Sequence, residues 1–253
     1  MTGKLRPQTR VPVAWAIGVA LIALAFHAEA QSTDRLRESL SRRPSGEVTG
    51  PPLARYVSED GHVFVLDRTQ PVAMLKFEDS PEVWALEAAP APRGDVIYKN
   101  DLGEPMLRAT RLGGFTLFTD DRPSGEAVSM AGVAGPLRML ALSPQAVFER
   151  LTQASARSSR AAHRPMLFEA EATPASSALI ADAATITSVA ILKLAQSPQG
   201  RAMLARFSRV RFEEGKKPSA SLKDGILRIV VAPAQGVSGR PSSDRILQAA
   251  STK

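Results

Sequence analysis

At 253 residues, 44% of them hydrophobic and 23% charged, the chain is long enough for one sizeable domain or two small ones and too apolar to be disordered throughout. Its formal charge of +7 comes with no cysteine at all, which excludes disulfides, thiol catalysis and attachment of a lipid to a lipobox cysteine.

The first thirty residues have the pattern of an export signal. Lys4, Arg6 and Arg10 form a basic n-region, Val11 to Phe26 is an apolar run, and Ala28-Glu29-Ala30 is a small-x-small motif that predicts cleavage after Ala30. The run is about 16 residues, short of the roughly 20 that a membrane-spanning helix needs, so cleavage is favoured over anchoring. With Lys4, Arg6, Arg10 and Glu29 removed, the net charge falls from +7 to +5. The expected location is the periplasm or the medium, and after cleavage the chain is not an integral membrane protein.

Residues 31–52 are polar and broken by Arg43-Pro44-Ser45-Gly46 and Pro51-Pro52, which reads as a flexible leader. From Leu53 the chain changes to short apolar runs separated by turn signals, the pattern of an antiparallel sheet. Arg55–Val57 and His62–Leu66 flank Asp60-Gly61, which predicts a hairpin with a type I′ turn. Val63–Leu66 is apolar at every position and is expected to be covered on both faces. Further strands are expected at Val72–Phe77, Val83–Leu86, Val96–Lys99, Met106–Thr110, Phe115–Thr119 and Ala127–Ala131.

Ser143-Pro144 predicts a helix start, with Leu142 and Val147 placed to staple it. A basic, small-residue linker is expected at Arg157–Arg164, then a short strand at Met166–Ala170. Ser176–Gln196 has a wide apolar stripe whose charges are Asp182 and Lys193, which predicts a buried core helix rather than a membrane span. Ser197-Pro198 opens a short helix. Strands are expected at Arg209–Glu213 and as a hairpin, Ala220–Lys223 with Ile226–Val231, around Asp224-Gly225. Residues 233–253 read by composition as a flexible C-terminal tail.

Signals for chemistry are sparse. His62 follows a tight turn and His163 sits in the basic linker; neither spacing suits a metal site, and no metal or cofactor is expected. No Gly-x-Ser-x-Gly elbow, Ser-x-x-Lys pair or phosphate-cradling glycine loop occurs. Strand-end acids are the remaining candidates. Asp79 and the Asp120-Asp121 pair close two strands, where acids serve mostly as turn formers but where two could converge for glycoside hydrolysis. Arg-Pro-Ser-Gly-Glu occurs at both Arg43–Glu47 and Arg122–Glu126, which reads as one turn chemistry used twice. The basic linker has no interleaved aromatics, which argues against nucleic acid; it suits polyanions such as anionic lipid headgroups or cell-wall polymers.

Phe77–Leu86 and Arg108–Thr119 together resemble a family of uncharacterised exported proteins of alphaproteobacteria, a domain of unknown function. The resemblance covers most of the chain after the signal. It implies an exported single-domain protein and transfers no site residues.

The sequence therefore predicts an α+β fold. A curved antiparallel sheet of about six to nine strands would carry the mid-chain helices on one face. A single domain at 53–232 would hold one continuous core, and the C-terminal hairpin would rejoin the sheet. The expected role is a non-catalytic binding or envelope-interaction module, partnered by an envelope protein, a cell-wall polymer or an anionic lipid surface, with envelope assembly as one version of that role. The alternative is a carboxylate-dependent, glycosidase-like hydrolase using Asp79, Asp120 or Asp121.

Overall fold

The computed structural model describes residues 50–252. The export signal at 1–30 and nearly all of the leader at 31–52 lie outside those residues.

Eight strands follow one another from Leu53: β1 (Leu53–Ser58), β2 (Val63–Asp67), β3 (Ala73–Phe77), β4 (Val83–Pro90), β5 (Val96–Lys99), β6 (Pro105–Ala109), β7 (Phe115–Leu117) and β8 (Glu126–Gly132). Each pairs antiparallel with its neighbour in the chain, and β8 returns to pair with β1. The curved sheet expected from the sequence is thus a closed barrel. Its interior is filled by alternate side chains, among them Tyr56, Phe64, Leu66, Leu75, Leu86, Tyr98, Leu107, Phe115 and Leu117. Eight strands enclose about the volume that such side chains fill, and closure leaves no edge unpaired. Tyr56 stacks on Phe64 with centroids 5.6 Å apart and tilts against Phe115 at 5.0 Å, while Ala54 and Ala109 make room beside them.

Closure also corrects two local expectations. Val63 and Val65 point outward and are only half-buried, because a barrel has a single interior. The first hairpin is not type I′: Gly61 alone has positive φ, at +88°, and its N–H donates to Ser58 O. Ser58 pairs with His62 across a three-residue loop, so a type I turn closed by a glycine bulge replaces the two-residue turn. At Asp224-Gly225 both residues have positive φ, 51° and 73°, as a type I′ turn requires.

An extended connector leaves the barrel at residue 133. Asp67 pins it: its carboxylate accepts from Leu137 N at 2.9 Å and from the N–H and hydroxyl of Thr69 at 2.9 and 2.6 Å. Burial pushes the Asp67 pKa up, but these hydrogen bonds outweigh it and the net shift is downward.

The second half contains α1 (Pro144–Ala162), β9 (Leu167–Ala170), α2 (Ser177–Ala195), α3 (Pro198–Leu204), β10 (Arg209–Glu214), β11 (Ser219–Lys223), β12 (Ile226–Val231) and α4 (Ser243–Ser251). Ser143 and Ser197 cap α1 and α3, accepting from Ala146 N at 3.2 Å and Gly200 N at 2.9 Å. The four strands form a separate sheet in the order β11-β12-β10-β9, with β9, β10 and β12 parallel. The C-terminal hairpin therefore does not rejoin the first sheet, and a closed barrel has no edge to offer it. Two hydrophobic clusters result where one core had been expected: one inside the barrel, the other between the helices and the second sheet.

Two further stretches differ from expectation. The basic linker is the last part of α1, which ends only at His163, left-handed at φ 52°. Ala154 and Ser158 are small enough to bury one side of that helix, while Arg150 and Arg160 stay exposed on it. Residues 233–252, which read by composition as part of a tail, fold as a 3-10 segment (Pro233–Gly239), a buried Arg240 and α4, with Ile246 and Ala250 in the second core. The apolar run of α2 is long enough to cross a membrane, and in the fold it is the core helix of this second layer.

Candidate functional site

In a barrel of consecutive hairpins, alternate turns fall at alternate ends. The β1–β2, β3–β4, β5–β6 and β7–β8 turns thus share one rim. This rim meets α2 and α4, and between them lies a cleft of about 550 Å³. Phe77, Trp84, Met106 and Phe118 supply its apolar walls. Glu82, Glu104 and Asp120 reach it from three successive hairpins, and Lys193 and Asp244 from the two helices.

Each charged group is held by its own element. Asn100, the chain's one asparagine, builds the β5–β6 turn: its side-chain carbonyl accepts from Leu102 N at 3.0 Å and Glu104 N at 2.9 Å. Its amide donates to Glu104 Oε2 at 2.9 Å, which fixes that carboxylate. Glu82 is 2% exposed and accepts from Ser243 N at 2.9 Å and from Arg240 Nη1 at 3.4 Å. Asp101 accepts from Ser242 N at 3.1 Å and Arg245 Nε at 2.8 Å. Two rim carboxylates therefore sit on the first N–H groups of α4, where the helix dipole favours negative charge.

Arg240 joins the two layers. Its guanidinium contacts Asp182 of α2 through Nε and Glu82 through Nη1, and donates to Val83 O at 2.8 Å and Pro241 O at 3.2 Å. Burial works to lower its pKa; Asp182 and Glu82 outweigh that and the net shift is upward.

Asp244 is the perturbed group of the cleft. Burial pushes its carboxyl up to about 6. Lys193, at 4.0 Å, pulls the other way, and the charges of Glu82, Asp120 and Glu104 add to the rise. The cleft thus concentrates negative potential against an aromatic and thioether wall.

The residues singled out in the sequence fall in different places. Asp120 lines the cleft and is exposed to solvent within it. Asp79 and Asp121 are exposed on the same rim but outside the lining, and neighbouring Glu78 is paired with Arg55 at 2.5 and 2.8 Å. His62 lies 3.9 Å from the buried Glu126, and His163 caps α1. Among the described residues no group of three or more metal-ligating side chains converges. The second Arg-Pro-Ser-Gly-Glu copy ties two hairpins of this rim together: Arg122 pairs with Asp60 at 2.6 Å, and Glu126 accepts from Asp60 N at 2.9 Å. The first copy lies outside the described residues.

Glu82, Glu104, Lys193 and Asp244 were not anticipated. One signal for them was present. Asp182 and Lys193 are the two charges of α2, and their spacing of eleven residues is close to three full turns, so they share a face. Both point to the C-terminal segment, Asp182 to Arg240 and Lys193 to Asp244. Charges aligned on an otherwise apolar helix call for partners, and those partners had been assigned to a tail.

A family model described as a domain of unknown function, DUF4908, matches residues 35–250. No curated protein and no solved structure matches the chain.

Proposed function

Since the chain belongs to the DUF4908 family, whose function is unknown, its role must be read from the cleft, and we propose a non-catalytic binding module that admits a cationic group there. One observation carries this reading: Glu104, Asp120 and Asp244 converge on a cleft walled by Phe77, Trp84 and Phe118. Carboxylates raise the local concentration of cations, and an aromatic face adds about 0.5–1 kcal/mol for a cation placed over it. The apolar wall rewards a ligand whose charge is borne on a hydrocarbon body, such as a basic side chain of an envelope protein or an amine-bearing small molecule. The export signal read in residues 1–30 supports placing this module in the periplasm or the medium.

Calorimetric titration with benzylammonium and with benzyl alcohol, its neutral counterpart, tests the reading. The ammonium should bind about two- to fivefold tighter, and more tightly at pH 7.5 than at pH 5, because Asp244 ionises between them. Asp120→Asn should weaken the ammonium alone. Equal binding of both compounds, unaffected by Asp120→Asn, would overturn it.

A second reading is favoured by the raised pKa of Asp244 in a cleft that Asp120 also lines: two carboxyls in unlike environments are the acid–base pair of a glycosidase-like hydrolase. Turnover of nitrophenyl glycosides that disappears in a folded Asp244→Asn chain would move the assignment to this alternative.

A further inference from the structure

Parallel strands are as a rule covered on both faces. The second sheet is covered on one. Phe168, Val210, Phe212, Leu227, Ile229 and Val231 point toward the helices, while among the described residues the other face is open. The strand registers set its side chains in rows. Leu167, Arg209, Ile226 and Lys223 form one row and Glu169, Arg211, Arg228 and Ser221 the next; Glu213, Val230 and Ser219 form a third. Leu167 is 50% exposed, and the side chains of Arg209, Arg211 and Arg228 are 54%, 37% and 45% exposed. Glu169 lies 3.3 Å from Arg211 and 4.0 Å from Arg209, and Glu213 lies 3.9 Å from Arg228. With the exposed Glu171 just past β9, these acids leave a surplus of one positive charge, and the row from Leu167 to Lys223 carries Arg209 and Lys223 and no acid.

We propose that this open face is a docking surface for the anionic phospholipid headgroups of a membrane. Its size argues against a second copy of the chain. Four strands about 4.8 Å apart and three side-chain rows cover about 300 Å², well under the roughly 800 Å² per partner of a stable interface. A small surface with surplus cations is instead suited to a partner that is itself a dense field of charge. Leu167, Ile226 and Val230 stand among the arginines, and an interface between headgroups and acyl chains rewards both kinds of side chain at once. A soluble polyanion would reward the cations alone. The proposal is independent of the cleft, which lies on the barrel rim.

The absence of cysteine makes the test site-specific. Ser221→Cys places an environment-sensitive fluorophore in the middle row, and Ser129→Cys places one on the outside of the barrel; both positions are exposed. The apolar run at 11–26 brings every version of the full chain to vesicles alike, so the readout is the label and not sedimentation. On phosphatidylglycerol vesicles the label at 221 should respond and that at 129 should not. Replacing Arg209 and Arg228 by Gln should cut occupancy by about 25-fold, a factor of about five per charge near an anionic surface, and about 0.5 M salt should do the same. An equal response on phosphatidylcholine, or one indifferent to the two Gln substitutions, would overturn the proposal. So would an equal response to soluble polyphosphate, or one that follows protein concentration without vesicles.

Discussion

Arg240 and Asp244 show how much of this structure rests on single charges in the last fourteen residues. Arg240 is 5% exposed, and its removal leaves Glu82 buried without its cation. Arg240→Ala should therefore cost about 3–5 kcal/mol, read as a lower urea midpoint, with Arg240→Lys in between because it keeps the charge and loses the fork. Asp244 acts in the opposite sense. Its folded pKa of about 6 lies above the ordinary value of 3.8, so it holds its proton more tightly in the folded state. The stability it contributes is fully present below about pH 4 and is lost as the pH rises through 6. Asp244→Asn should accordingly stabilise the protein at pH 7.5 by about 1 kcal/mol after allowance for solvent screening, read as a higher melting temperature, and leave it nearly unchanged at pH 4. A larger gain at pH 4 than at pH 7.5 would contradict this sign. Neither residue was legible beforehand. Gly239-Arg240-Pro241-Ser242-Ser243 has the composition of a loop, and burial of an arginine is decided by acids far away in sequence.

Elements were more legible than residues. The eight barrel strands and the starts of α1 and α3 follow from alternation, turn residues and Ser-Pro caps, all local signals. What alternation does not encode is the partner. It assigns Val210 and Phe212 to the inward face of β10, yet nothing in Arg209–Glu214 says that β9 and β12 lie parallel on either side. The bulged first hairpin has a similar cause: Asp-Gly supports two turn types, and the number of loop residues chooses between them. Packing between elements sets tighter limits than their boundaries suggest. Gly200 in α3 is buried, and a Cβ there would collide with the Leu194 carbonyl at the end of α2. Gly200→Ala, which an isolated helix would welcome, should instead destabilise the protein by about 1–3 kcal/mol in chemical denaturation.

At the scale of the molecule, the α+β class was readable from composition and periodicity, whereas the number of cores was not. Seven aromatic residues between Tyr56 and Phe118 point to a core there, and hydrophobic share alone does not reveal that the helices build another. The cleft follows from that division, since it exists only where the barrel rim meets α2 and α4. The barrel also has a consequence in time. Seven of its pairings join strands adjacent in the chain, and the eighth joins Arg55 to Gly132. Near contacts close quickly and distant ones slowly, because the loop entropy must be met first. In pulsed hydrogen exchange during refolding, the amides of β2–β7 should be protected ahead of those at the β1–β8 seam and at the parallel β9–β10 pair. Until that seam forms, β1 and β8 are exposed edges; once it forms, the barrel offers nothing on which another chain's strand could grow.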